Sequence, residues 1–215
     1  MESAELKARI MDAARRQPAP TRQQVFARVA VTLVAAVALP VIAFLAVGAV
    51  RPGPRPWSLI LVTAVGAFGI ALAAVWTAFG RGGQMVGRAR TRLLAMTIAA
   101  PLTFVVWKLL WSGQYDQMDA WPGRPGFRCF GLTLLMAAWP FLALSSIRRN
   151  SDPTHPRTLG AALGVATGTC AAVLVDLWCP VGHPQHLALG HLLPIVILGV
   201  VGVFVGHRVL AVRSK

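Results

Sequence analysis

The sequence predicts an all-α fold: a polytopic membrane bundle of six transmembrane helices behind a short N-terminal cytoplasmic helix. Composition is the first reason. Of 215 residues, 56% are hydrophobic and only 13% are charged, against roughly 25% charged in a soluble domain. The second is a set of six apolar runs, Val29–Val50, Trp57–Phe79, Leu93–Trp111, Phe130–Ile147, Thr158–Trp178 and Leu187–Val205. Each is close to the ~20 residues that cross a ~30 Å hydrocarbon core. The third is the distribution of charge. Sixteen Lys and Arg residues precede the first run or follow the second, fourth and sixth, whereas the opposite side holds only Arg51, Arg55, Arg124 and Arg128. The positive-inside rule then puts both termini in the cytoplasm. The net charge of +14 records this topology and contact with the anionic lipid bilayer; no direct nucleic-acid partner is expected.

The chain divides into an arm, residues 1–26, and a transmembrane domain, residues 27–215. The arm mixes acids, bases, Gln and Pro before the first apolar run, unlike a cleavable signal peptide, whose apolar stretch comes almost at once. Ser3 is placed to cap a short helix of good helix formers. Leu6, Ile10 and Ala13 or Ala14 form one narrow apolar stripe at helical spacing, with Arg16 at its end. Gln17-Pro-Ala-Pro-Thr21 then breaks the helix. Such a helix can lie on lipid headgroups or dock into a cytoplasmic partner's groove through Leu6, Ile10, Ala13 and Arg16. Trp57 reads as an interface anchor after the proline-rich loop that begins at Arg51. The fourth run is interrupted by Pro140, which membrane helices tolerate. The fifth carries Gly160, Gly164 and Gly168 and the sixth Gly202 and Gly206, a small-xxx-small pattern that lets helices approach closely.

Chemistry concentrates at one membrane face. Cys129 opens the fourth run and Cys179 closes the fifth, so the charge pattern puts both on the outer side, where disulfides are permitted. Three readings stand for the pair: a disulfide or redox-active dithiol, a structural role, or metal ligation. Histidines His183, His186 and His191 follow Cys179 within twelve residues. Thiolate and imidazole are the usual ligands of soft and borderline metals, so a transient metal ion at Cys129, Cys179, His183, His186 and His191 is one expectation. His191 also suits a bond to a neighbour within the bundle. Cys170 reads as a packing residue. Lys108 and Asp176 fall at matching depth inside apolar runs, where ionisable groups are costly, and an intramembrane ion pair between them is expected. With seven Asp and Glu in all, and no paired carboxylates, P-loop or Ser/His/Asp set, the chain is not expected to be an enzyme. A small transporter or channel with a Cys/His metal site is the alternative class.

Four segments carry a resemblance. They are Gln17-Pro-Ala-Pro-Thr-Arg22, Arg128-Cys129-Phe-Gly, the Arg148-Arg149 loop with its Thr-His-Pro, and the glycine-rich fifth run ending Asp176-Leu-Trp-Cys179-Pro. The chain resembles the NrsF family of six-helix inner-membrane anti-sigma factors, in a myxobacterial-like form. The resemblance implies a cytoplasmic arm that sequesters an extracytoplasmic-function sigma factor. It also implies a pair, here Cys129 and Cys179, that senses redox or metal stress in the periplasm and triggers release.

Overall fold

The computed structural model describes residues 21–51, 53, 55–79, 89–112, 123–149 and 154–211. These fold as six long helices: α1 Arg22–Ala46, α2 Trp57–Phe79, α3 Arg90–Ser112, α4 Phe127–Ile147, α5 Pro156–Trp178 and α6 Pro184–Leu210. All six are long and apolar enough to cross a membrane. Their outward faces agree, since Val31, Leu61, Leu72, Leu110 and Phe204 are all well exposed. An apolar surface this extensive is typical of contact with lipid rather than water.

The ends of the helices differ from the apolar runs for local reasons. Thr21 and Gln24 form a reciprocal capping box, with Gln24 N donating to Thr21 Oγ1 and Thr21 N to Gln24 Oε1. That satisfies two backbone donors and starts α1 at Arg22, before the apolar run begins. The same helix stops at Ala46, and the last apolar residues turn back toward α5. α6 begins three residues before its apolar run because Pro184 suits a first helical turn. It continues to Leu210 through a π-helical last turn, Gly206–Leu210.

α5 is the hub of the bundle. In its most apolar stretch 83% of residues are buried, against 17–39% in the other helices. It packs most extensively on α6 and also against α2, α4 and α3, while α1 lies along α4. Small residues make this possible. A methyl group added to Gly160 would land on the Gly202 carbonyl, one on Gly164 on the Leu198 carbonyl, and one on Gly206 on the Pro156 carbonyl. The two backbones therefore touch directly along the small-xxx-small stripe. α2 and α3 meet differently. Trp107 fills the space above Gly66, and its Nε1 donates to Thr63 O at 3.1 Å.

The C-terminal end of α5 is tied down by the α1–α2 connection. Arg55, only 4% exposed, donates to Asp176 O and Leu177 O, each at 3.2 Å, and to Arg51 O at 2.9 Å. It thus supplies partners for carbonyls that a helix end leaves unmet and puts a cation at the negative end of the helix dipole. Arg51 N donates to Leu177 O, its guanidinium stacks over Trp178 at 4.7 Å, and Trp178 Nε1 donates to Val47 O.

Gly164→Leu and Gly202→Leu are expected to lower stability by about 1–3 kcal/mol or more through overpacking, read as earlier thermal unfolding of the detergent-solubilised chain. Gly69→Ala and Gly131→Ala, where an added methyl meets nothing, should be neutral or gain roughly 0.5–1 kcal/mol from helix propensity.

Candidate metal centre

The polar cluster at the α5 C-terminus is built from three chain segments. Cys129 sits in the first turn of α4. Gly126 starts that helix with φ 103°, a conformation glycine adopts without strain. A Cβ there would also crowd Gly190 N and His186 O at 3.1 Å. Across that contact, a Cβ on Gly190 would meet Cys129 Cβ at 3.1 Å. The pair of glycines thus presses the start of α4 onto the start of α6. Cys179 is the residue after α5, its N–H bonded back to Val175 O at 2.8 Å.

The start of α6 supplies two imidazoles. His186 lies in an initial α-turn, Pro184–Leu187, and His191 in a π-turn, Ala188–Leu192. Residues five apart diverge by about 140° on an α-helix of 3.6 residues per turn. A π-turn, closed by i→i+5 hydrogen bonds, brings such residues nearly back over one another. The two rings accordingly share a face, with centroids 5.8 Å apart.

The four ligand atoms, one from each of Cys129, Cys179, His186 and His191, all lie within 4.8 Å of one another, and all four residues are buried. His186 Nε2 is 3.2 Å from Cys179 Sγ and 3.5 Å from Cys129 Sγ. Its Nδ1 is 2.7 Å from Arg124 O. A carbonyl only accepts, so Nδ1 carries a proton, and in the neutral ring Nε2 is the free nitrogen that faces the sulfurs. His191 is fully buried, packed near Phe104, and neither ring nitrogen has a hydrogen-bond partner among the described residues. A hydrogen bond from the neighbouring Cys129 thiol holds the Cys179 thiol below its ordinary range, against the opposing effect of desolvation. The thiolate is the form that binds metals and reacts with oxidants. A cleft of about 530 Å³ leads from the surface to Cys129, Cys179 and His186, with Arg51, Arg124 and Arg128 among its walls.

Just beneath the cluster Lys108 Nζ meets Asp176 Oδ1 at 2.7 Å, with the two side chains 2% and 4% exposed. The structure thus brings together two groups that neither helix could bury alone.

A family model described as "Negative regulator of sigma F" (NrsF) matches residues 13–211. The chain belongs to the NrsF family. Over 93 residues, 43% of this chain, it is 32% identical to a protein of Azospira oryzae named "Probable anti-sigma-F factor NrsF", and the match spans 41% of that relative's length. No solved structure matches the chain.

Within this NrsF chain, four of the five Cys and His residues singled out from sequence converge. His183 stands apart from the group of four, as the residue preceding the first turn of α6. Cys170 lies deeper on α5 against the apolar core. Leu6, Ile10, Ala13 and Arg16 lie outside the described residues. Sequence reasoning missed Gly126, Gly190 and Arg55. An isolated glycine in a loop or helix start, or an arginine in a short loop, carries no signal of its partner until the helices are packed. The irregular 186/191 spacing was the available clue, because on a regular helix it separates the rings.

Lys108→Met leaves the Asp176 carboxylate buried without a counter-ion and is expected to cost about 3–5 kcal/mol. The double variant Lys108→Met/Asp176→Leu should recover most of that loss in thermal unfolding. Equal losses in the single and double variants would show that the two residues do not act as a unit.

Proposed function

We propose that this chain is an integral inner-membrane anti-sigma factor. Its N-terminal arm, residues 1–26, sequesters an extracytoplasmic-function sigma factor on the cytoplasmic face. Redox or metal stress acting on Cys129 and Cys179 at the periplasmic face releases it. Membership of a family of negative regulators of sigma F supports the regulatory role, and the name of the Azospira oryzae relative supports the sigma-factor partner. The excess of basic residues beside the arm and on its side of the helices supports the orientation.

The observation that carries the sensing role is the convergence of Cys129 and Cys179. Fifty positions apart, both buried, they meet at the bundle end where α1 finishes. Cys129 belongs to the same apolar cluster as Phe44 of α1 and as Met136 and Ala137 of α4. α1 follows the arm directly and packs along α4. A change in the spacing of α4 and α5 at the cysteines therefore shifts the helix from which the arm extends. A ligand or oxidant that favours one packing over the other biases the arm's sigma-bound state by population shift.

Two measurements test this reading. In cells carrying a sigma-dependent reporter, Cys129→Ser/Cys179→Ser is expected to keep repression while losing induction by thiol oxidants and thiophilic metals. A double variant that still responds to every inducer would remove the sensing role. A peptide of residues 1–26 used as bait should retain the sigma factor, and retention of none would remove the arm from the mechanism.

A further inference from the structure

We propose that Cys129, Cys179, His186 and His191 form a four-ligand site for one thiophilic, closed-shell dication of the zinc group. The inference rests on the sensing role proposed for the cysteines and names the ligand of that site. A dithiol sensor needs two sulfurs, yet this chain gathers two thiols and two imidazoles from three segments of chain.

The geometry fits an ion rather than a dithiol alone. With Zn–S of about 2.3 Å and Zn–N of about 2.0–2.1 Å, the ligand atoms of a tetrahedral centre stand roughly 3.3–3.8 Å apart. The His186 Nε2 distances of 3.2 and 3.5 Å to the two sulfurs already fall close to that range, and all four atoms lie within 4.8 Å. A set of two sulfurs and two nitrogens in tetrahedral array is characteristic of zinc.

Each histidine shows the arrangement a ligand needs. His186 donates Nδ1–H to the Arg124 carbonyl, the outer contact that fixes the tautomer and aims Nε2 at a metal. His191 is wholly buried with both ring nitrogens unpartnered. Burying an imidazole that way is costly, and buried polar groups nearly always have partners. A bound ion satisfies one of the two nitrogens. The π-turn that brings His191 beside His186 is likewise a local departure of the kind found at functional sites.

Loading the site displaces one proton from each cysteine thiol that is still protonated. Two thiolates then balance the charge of the dication, and the two neutral imidazoles complete the shell. Four protein ligands leave no open position, so the site binds an ion and does not catalyse. The neighbouring Lys108–Asp176 pair is neutral as a unit and adds no net charge to this balance.

The test uses the full-length chain purified in detergent and loaded with zinc, cadmium or cobalt(II) alone. One ion per chain is expected after exhaustive dialysis, and cobalt should give the intense visible bands of a tetrahedral thiolate centre. Cys129→Ser and Cys179→Ser should abolish those bands. His186→Ala and His191→Leu should weaken binding by roughly 10–100-fold or more, the scale on which even outer-shell changes act. His183→Ala and Cys170→Ser should bind as wild type does. Protection from alkylation in the wild-type chain supplies a readout independent of any variant's folding, since zinc should slow modification of Cys129 and Cys179 but not of Cys170. A folded wild-type chain that retains no ion, with both thiols equally reactive with and without zinc, overturns the proposal. A His191→Leu chain with an unchanged cobalt spectrum overturns the four-ligand set. All these readouts omit the sigma factor. A chain that loads metal but whose arm retains no sigma factor therefore supports the site and refutes the regulatory reading. One that regulates through its cysteines but loads no metal refutes the site alone.

Discussion

Backbone contact between α5 and α6 sets the geometry on which everything else in this bundle rests. Inside lipid there is little hydrophobic force to bring helices together, so association depends on close packing and on satisfied polar groups. Glycines at 160, 164, 202 and 206 remove the side chains that would hold the two backbones apart. The helices then run in contact over much of their length, and α2, α3 and α4 gather around α5. One consequence reaches the site directly: the end of α5 with Cys179 and the start of α6 with His186 and His191 are held side by side. Arg55 and Arg51 pin the same end of α5 from outside the helix by taking up its last carbonyls.

Ionisable side chains inside an apolar bundle persist when they neutralise one another, and those around Cys179 are arranged in two tiers. The lower tier is the Lys108–Asp176 contact, buried on both sides. Above it lie two thiols and two imidazoles, of which His186 is oriented by a main-chain carbonyl and His191 has no partner for its nitrogens among the described residues. The lower tier is complete as it stands, whereas the upper one leaves donor atoms facing a common centre. That asymmetry leaves the upper tier with ligand capacity that the lower one lacks.

Packing connects that place with the rest of α4 and with α1. Cys129 is in the first turn of α4, and α1 lies along α4 with Phe44 in the same apolar cluster. α1 is also the helix into which the N-terminal arm leads. Close-packed interiors transmit strain, so under the proposed sensing role a change of spacing at the cysteines would reach α4 and α1 through packing contacts.

Much of the architecture was legible in the chain itself. Six apolar runs and the low charged fraction match the thickness and dielectric of a membrane, which act on each segment alone. The glycine stripes on α5 and α6 were equally visible, because a spacing of four places residues on one face of any helix. Helix ends were less legible: the Thr21–Gln24 capping box and Pro184 moved two of them by several residues, and local hydrogen bonding there outweighs hydropathy. Sequence also picked out Cys129, Cys179 and the histidines by residue type and by their places at the ends of apolar runs. Which of them meet was a tertiary decision. His186 and His191 converge only because a π-turn rewinds the start of α6, and Cys129 joins them only because Gly126 and Gly190 let α4 press against that turn. Contacts between segments sixty residues apart depend on how the helices pack, and no periodicity within one segment encodes them.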